Sequence, residues 1–267
     1  MLSAKAKTVL NDYLNLPFKN MVGVRCPYFN NARTRRRAEL KVLIGKGTPS
    51  EIVEEAKIIS LQYHAGLFDH SGNCCLHSNH DVSKDAQEIR KFLVDNNLGV
   101  ECSGFVTNIL RAHFWETANI DIVKKFYKTH SPFFLRSIIA KLRPVENVSV
   151  RVWADDRNTE KLNDWQSAQA GDVIVILEKK LPAIRNHIIL ITENSGGIIK
   201  YAHARAWNSE GRYGHGVVEG VIKIIAPEKG IVEQEWAELG QTGGKNETWA
   251  EAKTARVVEI RRVQFKM

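Results

Sequence analysis

Residues 187–204 read HIILITENSGGIIKYAHA. The two apolar runs in this stretch, His187–Thr192 and Ile198–Ala204, are rich in β-branched residues, and the polar turn Asn194-Ser195-Gly196 separates them. Two such runs joined by a short turn are typical of a β-hairpin. Short runs of the same kind predict further strands at 148–152, 173–177, 217–225 and 257–265.

The two histidines of this hairpin stand at related positions. A simple hairpin closed at Glu193 and Gly197 leaves His187 and His203 equally far from the closure, so that they lie directly opposite each other. A bulge at Gly196 would shift this register by one residue. Cross-strand partners on one face have Cβ atoms about 4.5–5.5 Å apart. We therefore expect the two imidazoles to be in contact.

The residues that precede the strands are predicted to be mainly helical. The segment Thr48-Pro49-Ser50-Glu51 has the pattern of a capping box with a proline in the first turn, and an apolar stripe follows it at helical spacing. Further helices are predicted at 83–95, 102–113, 120–127 and 131–142. Helices followed by hairpin-joined strands indicate an α+β fold with an antiparallel sheet or half-barrel. Residues 227–252 read as a polar insertion before the last strand.

The composition is that of a globular protein. The chain has 267 residues, 43% of them hydrophobic, and carries 38 Lys and Arg against 30 Asp and Glu, a formal net charge of +8. These values indicate one or two domains and exclude collagen-like, fibrous and wholly disordered classes. The chain shows no apolar segment of a signal peptide and no run of the roughly 20 apolar residues that span a bilayer. We therefore expect a soluble, cytoplasmic protein without a membrane span, which would need a non-standard route to act outside the cytoplasm.

One of the cysteines has the position of a nucleophile. Four cysteines are too few for a disulfide scaffold, so we expect reduced thiols. Residues 99–106, GVECSGFV, place Cys102 where a glycine-containing turn becomes a helix. A helix N-terminus favours thiolate over thiol, and its N–H groups can hold the oxyanion of an acyl transfer. The alternative is a small buried thiol that begins a helix.

Four short motifs resemble those of the NlpC-type papain-like cysteine peptidases. Residues 101–106, ECSGFV, are similar to the Asp-Cys-Ser-Gly-Phe/Leu-Val signature of that family. Residues 171–174 resemble its Gly-Asp-hydrophobic strand, residues 186–188 its base strand, and residues 201–204 the strand of its third catalytic residue. The motifs follow the order of the family and span about residues 99–225.

The resemblance implies a papain-like NlpC-type core, in which the nucleophile helix packs on an antiparallel sheet or half-barrel. It implies that Cys102 is the nucleophile, that His187 is the general base that later protonates the leaving amine, and that His203 orients the imidazole. The backbone N–H of Cys102 would contribute to the oxyanion hole. Both histidines follow the cysteine, which is the order of the peptidases and not of the circularly rearranged acyltransferases.

The resemblance also implies substrate contacts at Tyr28, Glu101 and Ser103. Glu101 stands where the family has an aspartate that helps to hold the substrate amine. Tyr28, in Pro27-Tyr28, is the nearest match to a Pro-Tyr that the family places shortly before the cysteine, and it lies 74 residues upstream of Cys102. Its assignment therefore requires a long helical insertion between the two.

The implied division of the chain is a helical N-terminal region, 1–98, packed on a catalytic core, 99–267, with insertions at about 111–169 and 227–252. The implied activity is hydrolysis of amide bonds through a thioester acyl-enzyme, chiefly in peptidoglycan stem peptides of the γ-D-glutamyl and diaminopimelate type. A peptide or peptidoglycan fragment is the expected partner, no cofactor is expected, and the oligomeric state is left open.

Other functions remain open from the residues alone. A papain-like binding module could hold cell-wall or other anionic polymers without turnover. The Cys/His-rich stretch offers ligand types that zinc selects, and its candidate ligands are Cys74, Cys75, His77 and His80. Adjacent cysteines seldom both reach one metal, and the spacing matches no zinc-finger template, which favours a polar loop between two helices. The basic run at 33–37 could mark a nucleic-acid surface, but no aromatic residues interleave with it, and the solvated face of a short element is the alternative.

Overall fold

The computed structural model describes residues 1–29, 40–69, 71–74, 82–128, 142–177 and 186–265. In these residues the chain combines helices with one antiparallel sheet of eight strands. The predicted α+β class is therefore confirmed, and most of the helical residues precede the sheet in the chain.

The helices are α1 Ala4–Leu14, α2 Pro49–Gln62, α3 Val82–Asp95, α4 Cys102–Ala118, α5 Ile122–Lys125, α6 Val150–Trp153, α7 Gly211–Gly214 and α8 Glu247–Thr254. The capping box predicted for α2 is confirmed. The N–H of Glu51 donates to the Thr48 hydroxyl at 3.4 Å, while the N–H of Thr48 donates to the Glu51 carboxylate at 2.9 Å. Two N–H groups that a helix start leaves without partners are satisfied in this way.

The strands are β1 Thr159–Lys161, β2 Val173–Leu177, β3 His187–Ser195, β4 Ile198–Arg205, β5 Gly216–Lys223, β6 Glu235–Glu238, β7 Gln241–Thr242 and β8 Val257–Val263. They lie in the order β1-β8-β2-β3-β4-β5-β6-β7, and every neighbouring pair is antiparallel. The last strand of the chain therefore lies between β1 and β2, and β2 to β7 follow one another across the sheet.

Apolar layers cover both faces of the sheet, because side chains alternate along each strand. On one face, Ile188 of β3 packs in a cluster with Phe105 of α4; on the other, Ile189 packs in a second cluster with Trp236 of β6. Tyr13 of α1 belongs to the first cluster, where its ring lies 5.3 Å from that of Phe105. The N-terminal helices and α4 thus share one core with the sheet.

Two segments differ from the prediction. Residues 148–152, predicted as a strand, mostly belong to α6, because Trp153 is buried beside α4 and α5. The indole N–H donates to the Thr107 hydroxyl at 3.1 Å, and the ring meets that of Phe126 edge-on with centroids 4.8 Å apart. This packing outweighs the strand preference of three valines. Residues 227–252, read as a polar insertion, extend the sheet by β6 and β7 and add α8.

Among the described residues, no helix combines the length and the apolar character needed to cross a bilayer. Of the helix predicted at 120–127, only Ile122–Lys125 is helical. The helix predicted at 131–142 lies, except for its last residue, outside the described residues, and so does the basic run at 33–37.

Candidate functional site

Cys102 is the first residue of α4, at the position predicted for it. The residue before it, Glu101, donates its N–H to the carbonyl oxygen of Gly45 at 2.9 Å. A Cβ at position 104 would collide with that same carbonyl, so Gly104 allows the close approach. On the other side, the N–H of Ile188 in β3 donates to the Cys102 Sγ. The thiol is therefore placed against the first peptide group of β3.

The thiol of Cys102 is neutral at rest. Burial raises its pKa to about 12, the Glu101 carboxylate adds to the rise, and the N–H of Ile188 and the ammonium of Lys46 oppose it. The expectation of a thiolate at this helix start is wrong, because desolvation of a side chain that is 6% exposed outweighs the helix dipole. A nucleophilic Cys102 therefore needs a base that takes its proton during the attack.

The β3–β4 hairpin turns at Gly196-Gly197, where both glycines have positive φ angles, 57° and 75°. A two-residue turn of this kind matches the twist of the flanking strands. The strands therefore close at Ser195 and Ile198, and the predicted closure at Glu193 and Gly197 is wrong. A bulge follows at Thr192, where the register shifts by one residue.

This bulge decides which face His187 occupies. Beyond the bulge, Leu190 pairs with Ala202. This register sets His187 opposite Arg205. The prediction that His187 lies directly opposite His203 is therefore wrong. His203 is two residues from Arg205 and therefore lies on the same face, diagonal to His187. Without the one-residue shift, the two histidines would point to opposite faces of the sheet.

The two imidazoles are in contact, as predicted, although in a different register. Nε2 of His187 lies 2.7 Å from Nδ1 of His203. On its other side, Nε2 of His203 lies 3.0 Å from Oε2 of Glu238. All three side chains are buried. The pair is therefore part of a hydrogen-bonded chain that ends on a carboxylate.

The carboxylate sets the positions of the protons in this chain. Burial alone would raise the pKa of Glu238, but His203 and Arg205 lower it below its ordinary value, so the group is ionised. A carboxylate only accepts hydrogen bonds, so Nε2 of His203 carries a hydrogen. When the His203 ring is neutral, its Nδ1 accepts from Nε2–H of His187, and the basic lone pair of His187 is then on Nδ1.

Glu238 is held by three further donors. The hydroxyls of Tyr201 and Thr248 donate to Oε2 at 3.1 and 3.2 Å, and the guanidinium of Arg205 donates to Oε1. Gly220 of β5 pairs with Tyr201 on one side and Glu238 on the other, and a Cβ there would collide with the Tyr201 ring. Because position 220 has no side chain, the carboxylate of Glu238 in β6 can reach the side chains of β4 across β5.

A buried lysine organises the other side of the Cys102 site. Lys46 is 4% exposed, and its ammonium donates to the Ser103 hydroxyl at 2.7 Å and to the carbonyl of Val148 at 2.6 Å. It also pairs with the Glu101 carboxylate, to which Ser103 donates at 2.6 Å. The two predicted substrate contacts Glu101 and Ser103 therefore lie next to Cys102, but both belong to an internal ion-pair network.

Tyr28 lies beside the start of α4 despite its distance in the chain. Its backbone forms a parallel bridge with Val100, and the N–H of Val100 donates to the carbonyl of Pro27 at 3.0 Å. A Cβ at position 99 would collide with that carbonyl, so Gly99 allows the approach. The structure therefore places the Pro27-Tyr28 segment against the residues that lead into Cys102.

Of the candidate metal ligands, only Cys74 is among the described residues, where it forms an antiparallel bridge with Phe68. Cys75, His77 and His80 lie outside them. In the part of the chain that the structure describes, no group of three or more His, Cys, Asp or Glu side chains is arranged to hold a metal ion.

Sequence reasoning missed Glu238, which lies in the stretch read as an insertion, and Lys46, which lies far upstream of Cys102. One signal in β4 points to a partner. Tyr201, His203 and Arg205 place three polar side chains on one face of a buried strand, and buried polar groups require hydrogen-bond partners. The signal indicates that a partner is needed but does not say where in the chain it lies.

Comparison with known protein families, with curated proteins and with solved structures gave no match.

Proposed function

We propose that this protein is a cysteine-dependent amide hydrolase built on the papain-like core that its motifs resemble. The observation that supports this most strongly is the hydrogen-bonded pair of His187 and His203, backed by Glu238, at the start of the strand whose Ile188 N–H donates to Cys102. A cysteine, an oriented imidazole and the N–H groups of a helix start are the parts that acyl transfer requires.

The proposed reaction is general-base catalysis from a neutral thiol. Cys102 gives its proton to Nδ1 of His187 while Sγ bonds to the carbonyl carbon of the amide. N–H groups of the first turn of α4, including that of Cys102, hold the oxyanion. His187 then protonates the nitrogen as the C–N bond breaks, and the amine leaves behind a thioester on Sγ. Water attacks the thioester with His187 as base, the acid departs, and the thiol regains its proton.

The motifs favour peptidoglycan stem peptides with γ-D-glutamyl or diaminopimelate residues as the substrate class. The net charge of +8 suits an anionic substrate. The position that holds the substrate amine in the family carries Glu101 here, and Lys46 and Ser103 already bind its carboxylate. We therefore propose that recognition at this subsite differs from that of the family.

The test is hydrolysis of defined peptides, with products read by mass spectrometry. The panel contains γ-D-glutamyl, diaminopimelate-containing and ordinary peptides. The parent protein and Cys26→Ala should cleave at least one class, and Cys102→Ala should be slower by about 10⁴-fold or more. Cys26 is a matched control because it is also buried and burial also raises its pKa to about 12.

Two results would contradict the proposal. Cleavage by Cys102→Ala at the parental rate would exclude Cys102 as the nucleophile. A parent protein that cleaves none of these peptides would favour the alternative, a papain-like binding module without turnover.

A further inference from the structure

We propose that Glu238 is a positioning residue of this site, whose carboxylate holds His203, and through it His187, in the tautomer that accepts the thiol proton. This inference rests on the proposed function for its catalytic consequence. The arrangement of the side chains themselves does not depend on it.

The surroundings of Glu238 are those of a fixed buried anion. The side chain is 0% exposed, and its partners are His203, Tyr201 and Arg205 from β4 and Thr248 from α8. Removing a carboxylate from water is unfavourable unless such donors surround it. Oε2 of Glu238 lies within hydrogen-bond distance of Nε2 of His203. The buried carboxylate therefore favours a hydrogen on that nitrogen of the ring.

Replacement of the carboxylate by an amide of the same shape should reverse the proton positions. The Arg205 guanidinium can only donate, so the oxygen of a glutamine at 238 would face Arg205 and its NH₂ group would face His203. Nε2 of His203 must then accept, and its Nδ1 must donate to Nε2 of His187. Nδ1 of His187 would carry a hydrogen and could no longer take the thiol proton.

The experiment compares the parent protein, Glu238→Gln and Tyr201→Phe by long-range ¹H–¹⁵N correlation spectra of the histidine rings and by peptide hydrolysis. In the parent, both His187 and His203 should carry their hydrogen on Nε2. In Glu238→Gln both should carry it on Nδ1, and kcat should fall by about 10²–10⁴-fold. Tyr201→Phe removes one donor to the same carboxylate but keeps its charge, so the tautomers should stay and kcat should change by less than about tenfold.

The spectra decide the inference without any substrate. A parent protein with the hydrogen on Nδ1 of His187, or unchanged tautomers in Glu238→Gln, would overturn it. If Glu238→Gln does not fold, the parent spectrum alone decides. The expected tautomers in a protein that hydrolyses no peptide would support the assignment of Glu238 and would count against the proposed function instead.

Discussion

Cys26 and Cys102 are two buried thiols in nearly equal electrostatic positions. Burial raises the pKa of each to about 12, and a backbone N–H opposes the rise in both, that of Val100 at Cys26 and that of Ile188 at Cys102. A cation lowers the pKa of each as well: Arg90 at Cys26 and Lys46 at Cys102.

The difference lies in the backbone that each thiol faces. The Cys26 Sγ lies 3.6 Å from the carbonyl of Pro27, and its cationic neighbour Arg90 only donates hydrogen bonds. Cys102 meets the strand that begins with His187, whose tautomer the hydrogen-bonded chain to Glu238 determines. The comparison teaches that neither depth nor pKa distinguishes these two thiols. The proposal that Cys102 is the nucleophile therefore depends on its place beside the strand that begins with His187.

The largest expected effect is the pH dependence of alkylation at the two thiols. Below a pKa of about 12 the thiolate fraction rises with pH, so labelling of Cys102 by iodoacetamide should increase about tenfold per pH unit between pH 7 and 10. Cys26 should show the same slope at a lower rate, because it is 0% exposed against 6% for Cys102. Peptide mapping by mass spectrometry measures both rates. A plateau at Cys102 below pH 9 would indicate a resting thiolate and contradict the neutral thiol.

A smaller effect is expected at the ion pair beside Cys102. Lys46→Met leaves Glu101 and Ser103 without their buried cation, so the free energy of unfolding should fall by about 3 kcal/mol. It should also slow labelling of Cys102, since Lys46 lowers the pKa of that thiol, and leave Cys26 unchanged. Urea denaturation measures the first effect.

The control for this variant is Lys57→Met, which removes an i,i+3 pair with the exposed carboxylate of Glu54. The unfolding free energy of this control should change by less than about 0.5 kcal/mol. Equal losses of unfolding free energy in the two variants would mean that the ion pair of Lys46 and Glu101 stabilises the protein no more than an exposed pair does.

Local patterns in the sequence predict much of this fold. The capping box of α2, the start of α4 at Cys102 and the strands around 187–204 each follow from a few neighbouring residues. The contact between His187 and His203 is predicted correctly, but from a register that the structure does not have. The observed register depends on the turn at Gly196-Gly197 and on the bulge at Thr192, and only the two together place both rings on one face.

The parts of the site that the sequence did not predict depend on distant packing. Glu238 reaches His203 only because β6 pairs with β5 and because Gly220 leaves room between them. Lys46 reaches Ser103 because α4 packs against a segment far upstream. Helix α6 replaces a predicted strand because Trp153 is buried. In each case a contact between distant residues decides the outcome, and no local pattern encodes it.

The most direct measurement of the central claim is the site of acylation by an activated ester. The protein is mixed with p-nitrophenyl acetate, quenched in acid and mapped by mass spectrometry. We predict an acetyl thioester on Cys102 in the parent and in Cys26→Ala, and its loss in His187→Ala, with Cys26 unmodified throughout. Acylation of Cys26, or acylation of Cys102 at an equal rate in His187→Ala, would contradict the account.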